Sequence, residues 1–450
     1  MSRRSWDRRD GRLAVGLSLV LLASQSLAEG AGAESLVELS ADAKLKAVVE
    51  AAWTTGPDLT ERITFLQVEA ADNRSSKGAG TPYLEYQQEG IGPSFENRPN
   101  AQQNLRLGTP FNLPWQITKA SRLEKGLQTW QTNAAQAARL RVASFVAGAW
   151  LRLAGVEERI VVEETRLERM DRAVSLQSAR FELGEVAGMD VMQLELQRAG
   201  DLSTLRVLQS ERRALQARIF QLAGKEAPLP APGDLQSLTE RAPSLGSQAE
   251  KNDVEATVER GIVFRSLGNH AEKERLLSEL VGSTTWGRPE IQVEWEHIPT
   301  IAHQPGFDAF GFRIAIPLPL GEQGGERAAA ARAQAEAAAA GLERARRELI
   351  SRAEAASAAA QFAPLRLEET EPFLERLPKT EFSLSEQFRL GAITYLVYID
   401  GLARLDELRL QRIDAYETYL QARLELEAIL GDPIFIPPLP DDSAIAQEVK

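Results

Sequence analysis

Phe181-Glu-Leu-Gly184-Glu-Val-Ala-Gly-Met-Asp190 and Phe388-Arg-Leu-Gly391-Ala-Ile-Thr-Tyr-Leu-Val-Tyr-Ile-Asp400 are two versions of one segment, set 207 residues apart. Pro82 and Pro289, Pro110 and Pro317, and Gly224 and Gly431 keep the same offset of 207, so the chain carries its own sequence twice. The 40 residues from tip glycine to closing glycine (184 to 224, 391 to 431) are equal in both copies, which excludes an insertion in either second arm. Two long units are too few to stack as a solenoid, so the duplication predicts pseudo-symmetric halves of one elongated body.

Working back from Gly184, apolar residues step by threes, fours and sevens (Val142, Phe145, Ala149, Leu153, Val156, Ile160, Leu167, Met170), and no proline interrupts residues 119–181. A helix of ~60 residues is about 90 Å long and belongs in a coiled coil or helical barrel. A second helix, from about Met189 to Leu222, returns antiparallel after the short connection. In the second copy, an alanine-rich helix over 328–360 precedes Pro364, Pro372 and Pro378, which break or bend it, and the last helix spans Thr394 to Leu430. Each copy also opens with a helix, residues 36–71 interrupted at Gly56-Pro57, and residues 252–280.

Ahead of each long helix the period changes to two. Leu84 and Tyr86 alternate with polar residues, and Leu105, Leu107, Phe111, Leu113 and Trp115 hold one parity; Ile291, Val293 and Trp295, then Phe310, Phe312, Ile314, Ile316 and Leu318, repeat the pattern. The fold class is therefore mainly α with a small β part, in duplicated strand-strand-helix-helix halves. The expected divisions are a signal peptide at 1–28, a first repeat at 29–228, a linker at 229–246, a second repeat at 247–433 and a disordered tail at 434–450.

The signal peptide rests on five arginines before residue 13, an apolar run from Leu13 to Ala23, and Ser26-Leu27-Ala28 as a cleavage site. Its removal shifts the formal net charge from −12 to −15, a poor match for nucleic acid, which needs a basic face. The sequence has no cysteine, so neither disulfides nor an N-terminal lipid anchor is expected. Four amphipathic strands suit either a soluble sheet or a membrane barrel. In lipid every backbone group must be paired, four strands cannot close, and a barrel then needs several copies of the chain. The apolar face would meet lipid, Arg106, Gln292, Glu294, Glu296 and Arg313 would line a wet lumen, and Tyr83, Trp115, Trp286 and Phe310 would form interfacial girdles.

The two tip segments, with Gly224, Gly431 and Ile316-Pro-Leu-Pro319, resemble the duplicated hairpins of the outer membrane factor (TolC-like outer membrane efflux protein) family, over nearly the whole mature chain. Tyr83-Leu-Glu-Tyr86, Gly90-Ile-Gly92 and Gly324-Gly-Glu326 are most similar to its CzcC-like heavy-metal branch. The resemblance implies a homotrimer: a long coiled-coil α-barrel crossing the periplasm, and four transmembrane β-strands per chain closing a twelve-stranded barrel in outer membrane lipid. It implies a periplasmic adaptor protein and an inner-membrane efflux pump as partners, with heavy-metal cations as favoured cargo.

By the same resemblance, Asp400 would form an acidic ring that gates the pore and Asp190 would tie inner to outer helices. The family's second acid is replaced by Val397. Leu183, Gly184, Leu390 and Gly391 would be the adaptor-contact tips. The sequence offers no nucleophile or general base, so neither an enzyme nor a cofactor is expected. His270, His297 and His303 lack the companions of a metal site. Three other readings remain open: the exit duct of a type I protein secretion system, organic-compound efflux, and a periplasmic coiled-coil adaptor.

Overall fold

The computed structural model describes residues 40–75, 81–89, 102–241, 254–284, 288–300, 305–316, 322–431 and 434–439. The expected signal peptide, Gly90-Ile-Gly92, Trp286, His303, the Pro317–Pro319 strand end and residues 440–450 lie outside them.

The first half runs α1 (Ala41–Thr55), α2 (Pro57–Ser75), β1 (Tyr83–Glu89), β2 (Gln102–Pro110), α3 (Pro114–Glu182) and α4 (Gly188–Ala223). After α5 (Asp234–Arg241), the second half runs α6 (Val254–Arg260), α7 (Ile262–Ser283), β3 (Glu290–Ile298), β4 (Phe307–Ala315), α8 (Glu322–Leu374), α9 (Leu377–Arg389) and α10 (Tyr395–Leu430). The 69 residues of α3 make a rod of about 100 Å. It starts earlier than expected, because Pro114 fits the first helical position and Gln116 Oε1 accepts the N–H of Leu113 at 2.9 Å. Phe111 and Leu113 therefore lie in the connection and Trp115 in the helix, although they share the strand's parity.

In the lower half the helices stand in the order α4, α3, α10, α8, with α9 on α10; nearer the sheet, α7 lies between α3 and α8. The core follows α3, where Leu123, Leu151, Leu153 and Trp150 are buried. Trp150 Nε1 donates to the carbonyl of Pro228 at 3.0 Å, pinning the segment that follows the first hairpin. The region read as a linker contains α5, whose Leu235 and Leu238 are buried against this core.

Two glycines decide where the opening helices break. A Cβ on Gly56 would stand 2.8 Å from the carbonyl oxygen of Leu222, and one on Gly261 would collide with that of Ile429. Leu222 and Ile429 are again 207 residues apart. Among the expected breaks in the alanine-rich helix, Pro364 and Pro372 lie within α8; the chain turns at Glu375-Arg376, and Pro378 sits in the first turn of α9.

The tail expectation needs correction at its start. Glu427, buried on α10, accepts the backbone N–H groups of Ile434 (2.7 Å), Phe435 (2.9 Å) and Ile436 (2.7 Å), and Phe435 and Ile436 join the core. Three amide donors converge on one carboxylate, and the apolar residues between the prolines fill the space beneath.

The four strands form one antiparallel sheet ordered β1-β2-β3-β4, with Leu105 opposite Trp295 and Leu107 opposite Val293 where the halves meet. Register places Leu84, Tyr86, Leu105, Leu107, Ile291, Val293, Trp295, Phe310, Phe312 and Ile314 on one face. Glu85, Gln87, Asn104, Arg106, Gln292, Glu294, Glu296 and Arg313 share the other.

Candidate functional site at the hairpin tips and the sheet

Each hairpin turns through a glycine in the left-handed region, Gly184 at φ 75° and Gly391 at φ 71°. The turns repeat bond for bond: Gly184 N–H donates to Phe181 (2.9 Å) and Glu185 to Arg180 (2.9 Å), as Gly391 does to Phe388 (3.0 Å) and Ala392 to Gln387 (2.8 Å). A left-handed residue costs a side chain about 1–2 kcal/mol, which is why glycine occupies both. The turns push Leu183 and Leu390 outward, 75% and 71% exposed. The four residues expected to make the adaptor contact thus share one local geometry.

Asp400 lies in the second turn of α10, exposed and paired with Arg404 at 3.0 Å. That arginine was not anticipated, and it sets a positive charge one helical turn from the expected acidic ring. Val397 is exposed on the same stretch. Asp190 is exposed in the first turn of α4 and makes no side-chain bond among the described residues, so within one chain it ties no helices together.

The ties between helices are made elsewhere. Arg169 of α3 pairs with Asp406 of α10 and, at 3.0 Å, with Glu381 of α9; Arg409 closes the ring to Asp406 and Glu381, both at 2.9 Å. Asp406 is 1% exposed, so its charge depends on these two guanidiniums. Beside this ring, where α4 meets α3, Arg166 pairs with Asp201 of α4 at 3.1 Å and reaches Glu163 at 3.8 Å. Desolvation pushes the carboxyls of Glu163 and Asp201 up, more than Arg166 pulls them down. Sequence reasoning missed both networks. The signal was present: Ile399, Leu402, Asp406, Arg409 and Ile413 step by threes and fours, which puts two charges in the buried stripe of α10.

The tips differ in their packing. Phe181 lies against Gly188, at 3.1 Å from a Cβ placed there, whereas Phe388 stacks on Tyr398 at 4.8 Å and meets Tyr395 edge-on at 5.5 Å. Burial pushes both tyrosine hydroxyls up, and Tyr395 Oη is buried without a partner. The second tip is the stiffer one because three rings interlock there.

On the polar face of the sheet, Arg106 Nε bonds Glu294 Oε1 at 2.8 Å and faces Glu85 at 3.9 Å. Tyr83, expected in an aromatic girdle, is instead on this polar face: its ring fills the space over Gly108, and its hydroxyl accepts Gln292 Nε2 at 2.9 Å. Trp115 stands exposed in the first turn of α3, and Phe310 is 80% exposed on the apolar face. His297 Nδ1 meets Asp308 Oδ1 at 2.8 Å at one end of the sheet, and His270 lies by Trp130 and Lys273. Among the described residues no group of three or more His, Cys, Asp or Glu could hold a metal ion. No described helix is long and apolar enough to cross a membrane.

No protein-family model matches the chain, and no curated protein matches it. Solved structures do. The Campylobacter jejuni CmeC outer membrane channel superposes with a TM-score of 0.67 at 13% identity, over 90% of this chain and 89% of its own. The outer membrane protein VceC of Vibrio cholerae gives 0.63 at 16%, over 86% and 96%. CusC, described in terms of folding and transmembrane channel formation, gives 0.65 at 14%, over 86% and 92%. The chain has the fold of these outer-membrane channel proteins.

Proposed function

We propose that this chain is the outer-membrane exit channel of a multi-part exporter, a member of the outer membrane factor family that carries cargo passively. The observation that carries this reading is a four-stranded sheet with one apolar face, one charged face and two open edges, set beside hairpins far longer than a globule uses. In water the exposed Leu84, Val293, Phe310, Phe312 and Ile314 would be a liability; in lipid they are the contact surface.

The working unit is a trimer of duplicated chains, with a twelve-stranded barrel in the outer membrane and a helical tunnel in the periplasm. Leu183, Gly184, Leu390 and Gly391 meet a periplasmic adaptor, which links the channel to an inner-membrane pump. Asp400 gates the narrow end, where symmetry-related carboxylates repel one another and attract cations. Asp190 acts in the closed state through a partner on a neighbouring copy. The proposed cargo is heavy-metal cations.

Planar bilayers test the channel and the gate together. The detergent-purified protein should insert and conduct, and Asp400→Ala should raise the conductance and weaken block by multivalent cations. Absence of any conductance would sink the channel reading; an unchanged Asp400→Ala channel would sink the gate alone. Growth of a deletion strain decides the cargo: sensitivity confined to zinc, cobalt, cadmium, nickel or copper supports metals, and sensitivity to organic toxicants rejects them.

A further inference from the structure

The halves meet along the helices, where α7 and α10 both lie on α3, and again in the sheet; the α10 and sheet meetings are residue-specific. Along the helices, the Cβ position of Gly148 on α3 is 3.8 Å from Leu424 on α10, that of Gly155 is 2.7 Å from Glu417, and Arg159 pairs with Asp414 at 2.7 Å. Further down, Arg169 pairs with Asp406. In the sheet, β2 pairs with β3. Beyond this junction α4 packs on α3 and α1, and α8 on α10, α7 and α6, so α4 and α8 are the outer edges of the row, as β1 and β4 are of the sheet.

The repeat offset turns the inner junction into a map of the outer one. Adding 207 to each α3 position and subtracting it from each α10 position sets Ala355 of α8 opposite Ala217 of α4, Phe362 opposite Ser210, Arg366 opposite Val207, and Arg376 opposite Ala199. Size complements at the central pair: inside the chain small Gly155 faces long Glu417, and on the outer edges large Phe362 faces small Ser210. Both edges expose apolar side chains where the map brings them together: Phe362, Leu365 and Phe373 on α8, and Leu196 and Val207 on α4. The same shift lays β4 on β1 with Ile314 opposite Tyr86, Phe312 opposite Gln88 and Arg313 opposite Gln87, keeping each side chain on its own face of the sheet.

In the closed assembly proposed above, α8 and β4 of one copy meet α4 and β1 of the next; we propose that this seam takes the register of the inner junction and is apolar where that junction is ionic. Arg366 and Arg376 repeat Arg159 and Arg169, but Val207, Ser210 and Ala199 stand where Asp414, Glu417 and Asp406 supply the inner ion pairs. High salt therefore leaves the chain-to-chain seam intact while it weakens the exposed part of the junction inside each chain. This inference rests on the multi-copy channel reading above.

The absence of native cysteine makes the test direct. Ala355→Cys with Ala217→Cys, and Phe362→Cys with Ser210→Cys, are made in the full chain and oxidised in membranes, beside an out-of-register pair, Phe362→Cys with Ser203→Cys. The alanine pair changes little volume, so it reads the register even where the Phe362 variant folds poorly. Both in-register pairs should convert the monomer band to reductant-reversible oligomers, at low salt and at high, while the third pair does not. Linking of the out-of-register pair, or no linking of the alanine pair in membranes where amine cross-linking shows oligomers, overturns the register and leaves the channel reading standing. Oligomers lost at high salt overturn the apolar seam. No oligomer by either chemistry overturns both readings.

Discussion

Asp406 shows how much one side chain can hold. Its carboxylate is buried at the meeting of α3, α9 and α10, and each of its oxygens takes an arginine. Asp406→Asn keeps the shape and removes the charge, leaving Arg169 and Arg409 to share Glu381. We expect a loss of about 3 kcal/mol, and faster amide exchange over residues 395–410 while the sheet stays protected; uniform exchange along the chain would refute a local latch. The neighbouring Glu163 and Asp201 respond to pH in a defined direction. Burial raises both carboxyls in the folded chain, so their stabilising contribution is full below the ordinary carboxylate range and is lost as pH rises through the raised values. The thermal midpoint should rise as pH falls from neutral towards the ordinary carboxylate range, and the rise should shrink in the Glu163→Gln, Asp201→Asn double variant. A midpoint indifferent to both changes would mean that Arg166 already neutralises the pair.

At the scale of elements, the backbone explains more than the side-chain pattern does. Gly261 separates α6 from α7 because a Cβ there meets the carbonyl oxygens of Ile429 and Val258, so Gly261→Ala should cost about 1–3 kcal/mol through displacement of the α10 end. Gly268, inside α7 with open space around it, is the control: alanine there should stabilise by up to about 1 kcal/mol. Thermal midpoints of the two variants should move in opposite directions, and a shared direction would refute the close-approach argument. These cases mark what the sequence disclosed. Helix periodicity and the tip glycines placed α3, α4 and α10 within a few residues, because those signals are local and doubled by the repeat. The clasp of Glu427 on residues 434–436 was illegible, since its amide donors lie beyond the helix and outside its period; the ring around Asp406 left in the sequence only a charge at a buried-stripe position, without its partners on α3 and α9. Gly56 was read as a break for its Gly-Pro pair, but its contact with Leu222 belongs to tertiary packing.

The whole molecule is organised by an unfinished edge at each side of the sheet and of the helix row. Among the described residues no strand pairs with the outer edge of β1 or β4, and an open sheet edge is a state that lipid does not tolerate and water tolerates only with an apolar face exposed. Closure by further copies satisfies both at once, and it makes the two faces of the sheet inequivalent. Val293 and Gln292 are neighbours on β3 but point to opposite faces. Lysine at Val293 should cost about 2–4 kcal/mol per copy if that face meets the middle of the bilayer, depleting the channel from outer-membrane fractions. Lysine at Gln292 should leave assembly unchanged and alter single-channel conductance, because that side chain stands with Arg106, Glu294 and Arg313 on the charged face. Membrane fractionation and bilayer recordings on the two variants separate the effects. Equal losses of assembly would place both faces in contact with protein, and the sheet would then be an ordinary soluble one.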